Sequence, residues 1–339
     1  MSEEIALTTP TGRLFGTLEL PSESHLVPPV ALIWAGSGPT DRDGNSHLGI
    51  RARSLRLLAE GLAEAGIASL RTDKRGVADS MAAAGDEEAR TLHSYADDAA
   101  VWIDHLKADE RFGKVILIGH SEGASVMAMA AALRRVEAMI SLAGPGRPMS
   151  TLLREQLASQ LRSGRMPQAL HGLALKYIDQ LERGERVDHV DPRLAMAFRP
   201  SIQPFLISLF GFDPLEAARS LTVPFLIVQG TADNQVSVLD AHALQAARQG
   251  SKLAIIEGMN HILKAEPSDP ARGARQLLDP REPLAYGLVN AIVAFVQQLG
   301  ASTARRTAAQ KGSSLTLGDG KKPETFAARA PSTSGLRDN

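Results

Sequence analysis

Apolar positions recur along the chain at two spacings. Six short runs are almost continuously apolar: VALIWAG (30–36), IASLRTD (67–73), KVILIGH (114–120), EAMISLAG (137–144), PFLIVQG (224–230) and SKLAIIEG (251–258). Between the first five lie segments with the three-to-four-residue spacing of amphipathic helices, among them RSLRLLAEGLAEAG (53–66) and SYADDAAVWIDHLKAD (94–109). Near-continuous apolar strands separated by helices predict an α/β fold, with a parallel sheet covered on both faces. Ahead of them, EEIALTTP and RLFGTLELP alternate more weakly around a TGR turn, which predicts an antiparallel opening hairpin.

The strand pattern stops between Gly146 and Ser220. That stretch holds helix-like pieces, TLLREQLASQLRSG, PQALHGLALKYIDQLERG and IQPFLISLFGF, and is expected to be a helical cap over 146–220. It divides a core made of 1–145 and 221–301, which closes with the apolar helix PLAYGLVNAIVAFVQQLG ending at Gly300. Residues 302–339 carry one aromatic residue, many Ala, Ser, Thr, Gly and Lys, and no sustained periodicity, and are expected to be a disordered tail.

Bulk composition narrows the partners. Of 339 residues, 44% are hydrophobic and 22% charged, as in an ordinary soluble protein. A net charge of −1 supplies no field that would draw nucleic acid or an anionic membrane, so a small molecule is the expected partner. The acidic start MSEEIALTTPTGRLFG lacks the features of a secretory signal, and no apolar run approaches the roughly 20 residues of a spanning helix. With no cysteine, disulfides, thiolate catalysis and Cys-ligated metal centres are excluded. A cytoplasmic enzyme or binding protein is the expectation.

Candidate chemistry sits at strand ends, where a parallel sheet presents functional groups. GHSEG (119–123) follows the run KVILI and precedes the helical ASVMAMAAALRR, the strand-turn-helix context that a G-x-S-x-G motif requires. Gly119 and Gly123 relieve crowding in so tight a turn, which lifts the Ser121 hydroxyl clear and puts the Glu122 N–H at a helix start. Serine needs a general base, and that base needs a carboxylate to orient it. His261 follows a strand end in SKLAIIEGMNHILK, and Asp233 follows another in PFLIVQGTADNQV. The other histidines fall on apparent helices (His93, His105, His171, His242), in polar loops (His25, His47, His189) or beside the serine on a turn that directs it elsewhere (His120).

Acyl transfer also needs two oxyanion donors, and losing one typically costs roughly 2.7–4 kcal/mol of barrier stabilisation. Glu122 N–H is one; the glycine-rich loop AGSGPTDRDGN (35–45) offers the second from Ser37 or Gly38, with Asp41, Arg42 and Asp43 as local braces. Its DRDGN run fails as a calcium loop, with Ser46 where glycine and Ala52 where glutamate belong, and it lacks the ending of a phosphate loop.

With these residues the chain resembles the α/β-hydrolase superfamily and, more closely, the bacterial EstD-like serine carboxylesterases. The resemblance runs over about 1–300: GSGPTDRDGN (36–45), DKRGVADS (73–80), GHSEG (119–123), AGPGRP (143–148), GTADNQV (230–236) and NH (260–261). It implies an eight-stranded, mostly parallel sheet with a helical cap, and assigns nucleophile, acid and base to Ser121, Asp233 and His261. Ala78 departs from it, standing where a glycine is usual.

The expected activity is hydrolysis of small to medium uncharged esters, with no cofactor or metal. Turnover should rise with pH through about 6 to 7, where a reference histidine loses its proton. In the cap, Phe198, Phe205, Leu206, Leu209 and Phe210 are candidates for an acyl pocket. A peptidase or amidase with the same triad would need a cap carboxylate to hold a substrate amine, with Glu155 and Asp179 as candidates. A C–C-bond hydrolase or perhydrolase, and a non-catalytic ligand-binding protein on the same fold, complete the alternatives.

Overall fold

Every apolar run becomes a strand of one sheet. The computed structural model describes residues 1–22, 27–267, 269, 273 and 275–299. The strands are β1 (Ser2–Thr9), β2 (Gly12–Glu19), β3 (Pro29–Trp34), β4 (Ala68–Thr72), β5 (Lys114–His120), β6 (Ala138–Leu142), β7 (Phe225–Gly230) and β8 (Lys252–Ile256). They form an eight-stranded sheet in the order β1-β2-β4-β3-β5-β6-β7-β8. The opening hairpin pairs antiparallel, β2 pairs antiparallel with β4, and the other pairs are parallel. In β4, β6 and β7 every residue is buried, and since successive side chains point to opposite faces, both faces are covered.

The crossovers are helical: α1 (Ser54–Glu64), α2 (Leu92–Ala108) and α3 (Glu122–Leu133). A capping box between Thr91 and Ser94 starts α2. Between β6 and β7 run α4 (Met149–Arg162), α5 (Gln168–Glu182), α6 (Ala195–Phe198), α7 (Gln203–Phe210) and α8 (Pro214–Ser220). Their apolar faces, with Leu157, Tyr177, Phe198 and Leu209, join the same buried cluster as the sheet residues Leu32 and Leu117. Buried Gln203 ties them together, accepting from Val187 N at 2.8 Å and donating to the Val187 and Phe198 carbonyls, each at 2.9 Å. Next come α9 (Val238–Ala247) and a final helix, α10, over 288–299, five residues later than the start of the apolar segment 283–300. Met1–Phe295 form one compact unit. Gly300 and the tail 302–339 lie outside the described residues. No described helix is long and apolar enough to cross a membrane.

Candidate active site

The sheet order brings distant segments together at the carboxyl ends of its strands. Trp34, the last residue of β3, pairs with Gly119 near the end of β5, so the loop after β3 emerges beside the turn after β5. β7 and β8 end in register at Gly230 and Ile256, one strand beyond β6.

Ser121 occupies the turn from β5 into α3 with φ 55 and ψ −125, a conformation that L side chains rarely adopt. Its backbone N–H donates to the Leu142 carbonyl at 2.9 Å, which holds the turn against β6. Both flanking glycines are required by contact: a Cβ on Gly119 would lie 2.3 Å from the Gly123 carbonyl oxygen, and one on Gly123 would lie 2.6 Å from that of Trp34.

The three strand-end residues meet. His261 Nε2 lies 3.1 Å from Ser121 Oγ, and His261 Nδ1 lies 2.8 Å from Asp233 Oδ2. Asp233 is fixed in turn, its Oδ1 accepting from the N–H of Gln235 (2.8 Å) and Val236 (3.0 Å), its Oδ2 from Gln229 Nε2 (3.1 Å). Burial opposes charge on Asp233, yet the hydrogen bond and charge of His261 and the two backbone donors hold its carboxyl below the ordinary range. A carboxylate therefore faces Nδ1 and selects the tautomer in which Nε2 can accept the serine proton.

The loop after β3 is braced as its charges suggest. Asp41 Oδ1 accepts from the N–H of Asp43 (2.9 Å) and Asn45 (2.8 Å); Arg42 Nη1 donates to Asp73 at 2.6 Å; Asp43 pairs with buried Arg71 at 2.6 Å. Gly36 presses on Ser121, since a Cβ there would sit 3.1 Å from Ser121 Cβ. Among the described residues, no protein acceptor takes the backbone N–H of Ser37, Gly38 or Glu122.

These groups open into a cavity of about 400 Å³. Ser37, Gly38, Ser121 and His261 line it, facing Leu152, Leu153, Ile202, Phe205, Leu206, Leu209 and Phe210. Phe198 is a correction: it is not part of the cavity wall but lies 1% exposed with its ring 5.7 Å from that of Tyr177. Helical spacing marked it as inward-facing, and inward here means toward α5. Glu155 and Asp179 are engaged on the surface, with Arg147 at 2.6 Å and Arg154 at 2.7 Å. Among the described residues no cluster of three or more His, Asp or Glu is placed to hold a metal ion.

Two nearby residues carried no signal of a role in the sequence. His120 turns its ring toward His261, the centroids 5.1 Å apart. Lys74, in the loop after β4, is 1% exposed beneath the loop after β3. Its place immediately beyond a continuously buried strand was the available hint.

Comparison with known proteins agrees with this architecture. The esterase EstD of Thermotoga maritima is 26% identical over an alignment of 262 residues that covers 73% of this chain and 57% of that protein. The chain thus spans little more than half the length of that curated relative. Among solved structures, Est1E from Butyrivibrio proteoclasticus superposes with a TM-score of 0.56 at 18% identity, covering 88% of this chain and 99% of that one. The α/β hydrolase GrgF from Penicillium sp. sh18 does so with a TM-score of 0.53 at 21% identity, covering 82% and 96%. Residues 48–268 match the family described as serine aminopeptidase, S33 (Hydrolase_4), and the chain belongs to that family, on an α/β-hydrolase fold.

Proposed function

We propose that the protein is a serine carboxylesterase that hydrolyses small to medium uncharged esters through an acyl-enzyme. The observation that carries this reading is the hydrogen-bonded path from Asp233 through His261 to Ser121 Oγ, opening into a mostly apolar cavity.

Ser121 Oγ attacks the ester carbonyl carbon as His261 Nε2 takes the hydroxyl proton, forming the C–O bond and moving the carbonyl electron pair onto oxygen. Backbone N–H groups of Glu122 and of the loop after β3 hold that oxyanion. Its collapse expels the alkoxide, which takes the proton from His261. Water then repeats the sequence on the acyl-serine and releases the acid.

The family's description raises the aminopeptidase alternative, which needs a free carboxylate to hold a substrate ammonium. Among the described residues lining the cavity, Glu122 is the one carboxylate, and Lys74 is its charge partner. Glu155 and Asp179 are paired with arginines. An uncharged substrate suits such a wall better than an amine.

The test is hydrolysis of p-nitrophenyl esters from acetate to decanoate beside aminoacyl p-nitroanilides, for wild type and Ser121→Ala. Ester turnover that falls on the order of a millionfold in the variant is expected. Anilide turnover alone would move the protein to the peptidases, and silence on both substrates would favour a ligand-binding role.

A further inference from the structure

A cation lies buried behind the candidate oxyanion loop, outside the path from Asp233 to Ser121. The Lys74 ammonium donates to the carbonyl oxygen of Gly36 and, at 2.7 Å, to that of Gly38. Around it lie the Glu122 carboxylate, its charge partner, and the Tyr95 ring, whose centroid is 6.0 Å from Nζ. Burial holds the ammonium below its ordinary value against the pull of Glu122, and burial likewise pushes the Glu122 carboxyl up.

Two bonds from one ammonium to carbonyls two residues apart in one loop constrain the direction of its peptides. In a planar trans peptide the C=O and N–H point to opposite sides. The Gly36 carbonyl and the Ser37 N–H belong to one such unit. A carbonyl anchored inward on Lys74 therefore aims the Ser37 N–H away from Lys74, and Gly36 itself is packed against the turn at Ser121, where a Cβ on it would sit 3.1 Å from Ser121 Cβ. The Gly38 N–H belongs to the next unit, whose carbonyl, on Ser37, accepts from Thr40 Oγ1 at 2.8 Å and is independent of Lys74. The Gly38 carbonyl joins to Pro39, which has no N–H, so the second Lys74 bond fixes the turn at Gly38, where φ is +69, without aiming a donor.

Resting on the acyl-transfer reading, we propose that Lys74 is a positioning residue: it orients and polarises the Gly36–Ser37 peptide so that Ser37 N–H, not Gly38 N–H, is the second oxyanion donor. An ammonium on the carbonyl oxygen draws electron density along the peptide and strengthens its N–H as a donor. Glu122 serves twice, its backbone N–H as the first donor and its carboxylate as the counter-charge that lets the ammonium be buried.

The experiment compares wild type, Lys74→Met and the doubly neutral Lys74→Met/Glu122→Gln. The second variant guards against misfolding caused by leaving Glu122 unpaired. Each is assayed for kcat and KM on a p-nitrophenyl ester, and for affinity toward a trifluoromethyl ketone, whose serine adduct carries an oxyanion, beside the matching methyl ketone. Misaiming one donor should lower kcat by about 10- to 100-fold with KM within about threefold, and ketone affinity should fall in parallel for the trifluoromethyl compound alone. In the ¹⁵N-labelled wild-type adduct the Ser37 amide proton should move downfield.

Folded variants with wild-type kcat and ketone affinity, or a downfield shift at Gly38 in place of Ser37, would overturn the assignment while leaving acyl transfer intact. A wild type that neither turns over esters nor binds the fluoroketone would remove both.

Discussion

His120 Nε2 lies 2.8 Å from the backbone carbonyl oxygen of His261. A carbonyl only accepts, so Nε2 carries the proton and donates. The residue before the candidate nucleophile thereby holds the loop that carries the candidate base. That loop is irregular, with Leu263 at φ 64 and a single bridge from Met259 to Ala265 closing it, and this contact ties it to the end of β5.

The contact carries a pH signature. Burial, then the neighbouring His261, pushes His120 down to about 4, well below an ordinary histidine. The unfolded chain therefore binds a proton that the folded chain refuses between about 6.5 and about 4. Stability from neutral His120 is fully present above that window and is lost as pH falls through it. His120→Gln keeps an N–H donor that does not titrate, so its melting temperature should fall less steeply than wild type from pH 7 to 4, with kcat within a few-fold. His120→Ala should lose about tenfold in kcat, because small displacements of a catalytic group are costly. Identical pH slopes for wild type and His120→Gln, followed by calorimetry, would count against this role.

Ala78 adopts φ 45, the left-handed region where a side chain is strained. The resemblance noted at DKRGVADS has glycine there, and the backbone has kept the shape glycine favours. Relief of strain in Ala78→Gly should outweigh the added freedom of the unfolded chain, raising stability by about 0.5–1 kcal/mol. A higher urea midpoint at unchanged slope is the expected observation, and a lower midpoint would show that Ala78 is not strained.

Sequence legibility followed what each residue's role depends on. Strands β3 to β8 were readable as short, nearly continuous apolar runs, the opening hairpin only as a weaker alternation around its turn, and Ser121, Asp233 and His261 were singled out because each follows one of those runs. Lys74 was not: a lysine in a DKRG loop has the composition of a solvated turn, and its burial arises only when the loop after β3 folds over it. For His120 the sequence indicated that it is directed away from the serine but not to what, since its partner is a backbone carbonyl 141 residues away that no side-chain pattern reveals. Phe198 and Phe205 were indistinguishable by spacing, and only the crossing of α5 decides which of them faces the cavity.

Gly230 ends β7 against the loop that carries His261. A Cβ there would stand 1.9 Å from the Met259 carbonyl oxygen and 2.6 Å from its carbon, so backbone must move to admit it. Met259 is two residues before His261, and Gly230 three before Asp233. Gly230→Ala should cost at least about 1–3 kcal/mol through overpacking. It should also lower kcat at temperatures well below its melting point, because the 2.8 Å bond from His261 to Asp233 is stretched. Reduced stability with wild-type kcat would separate packing at this glycine from alignment of the site.

Phe205 is where substrate length should be decided. Its ring stacks tilted on Tyr95 with centroids 5.3 Å apart, and it forms part of the cavity wall with Leu206 and Leu209. Removing it extends an apolar space in which each added methylene contributes about 0.8 kcal/mol on burial. In Phe205→Ala the preferred acyl chain should therefore lengthen, with kcat/KM for decanoate rising relative to acetate. Phe198→Ala provides the contrast, since that ring packs on Tyr177 away from the cavity. It should cost about 3–5 kcal/mol of stability and leave the acyl preference unchanged. If both substitutions, or neither, shift the chain-length profile, the cavity wall is not what selects the acyl group.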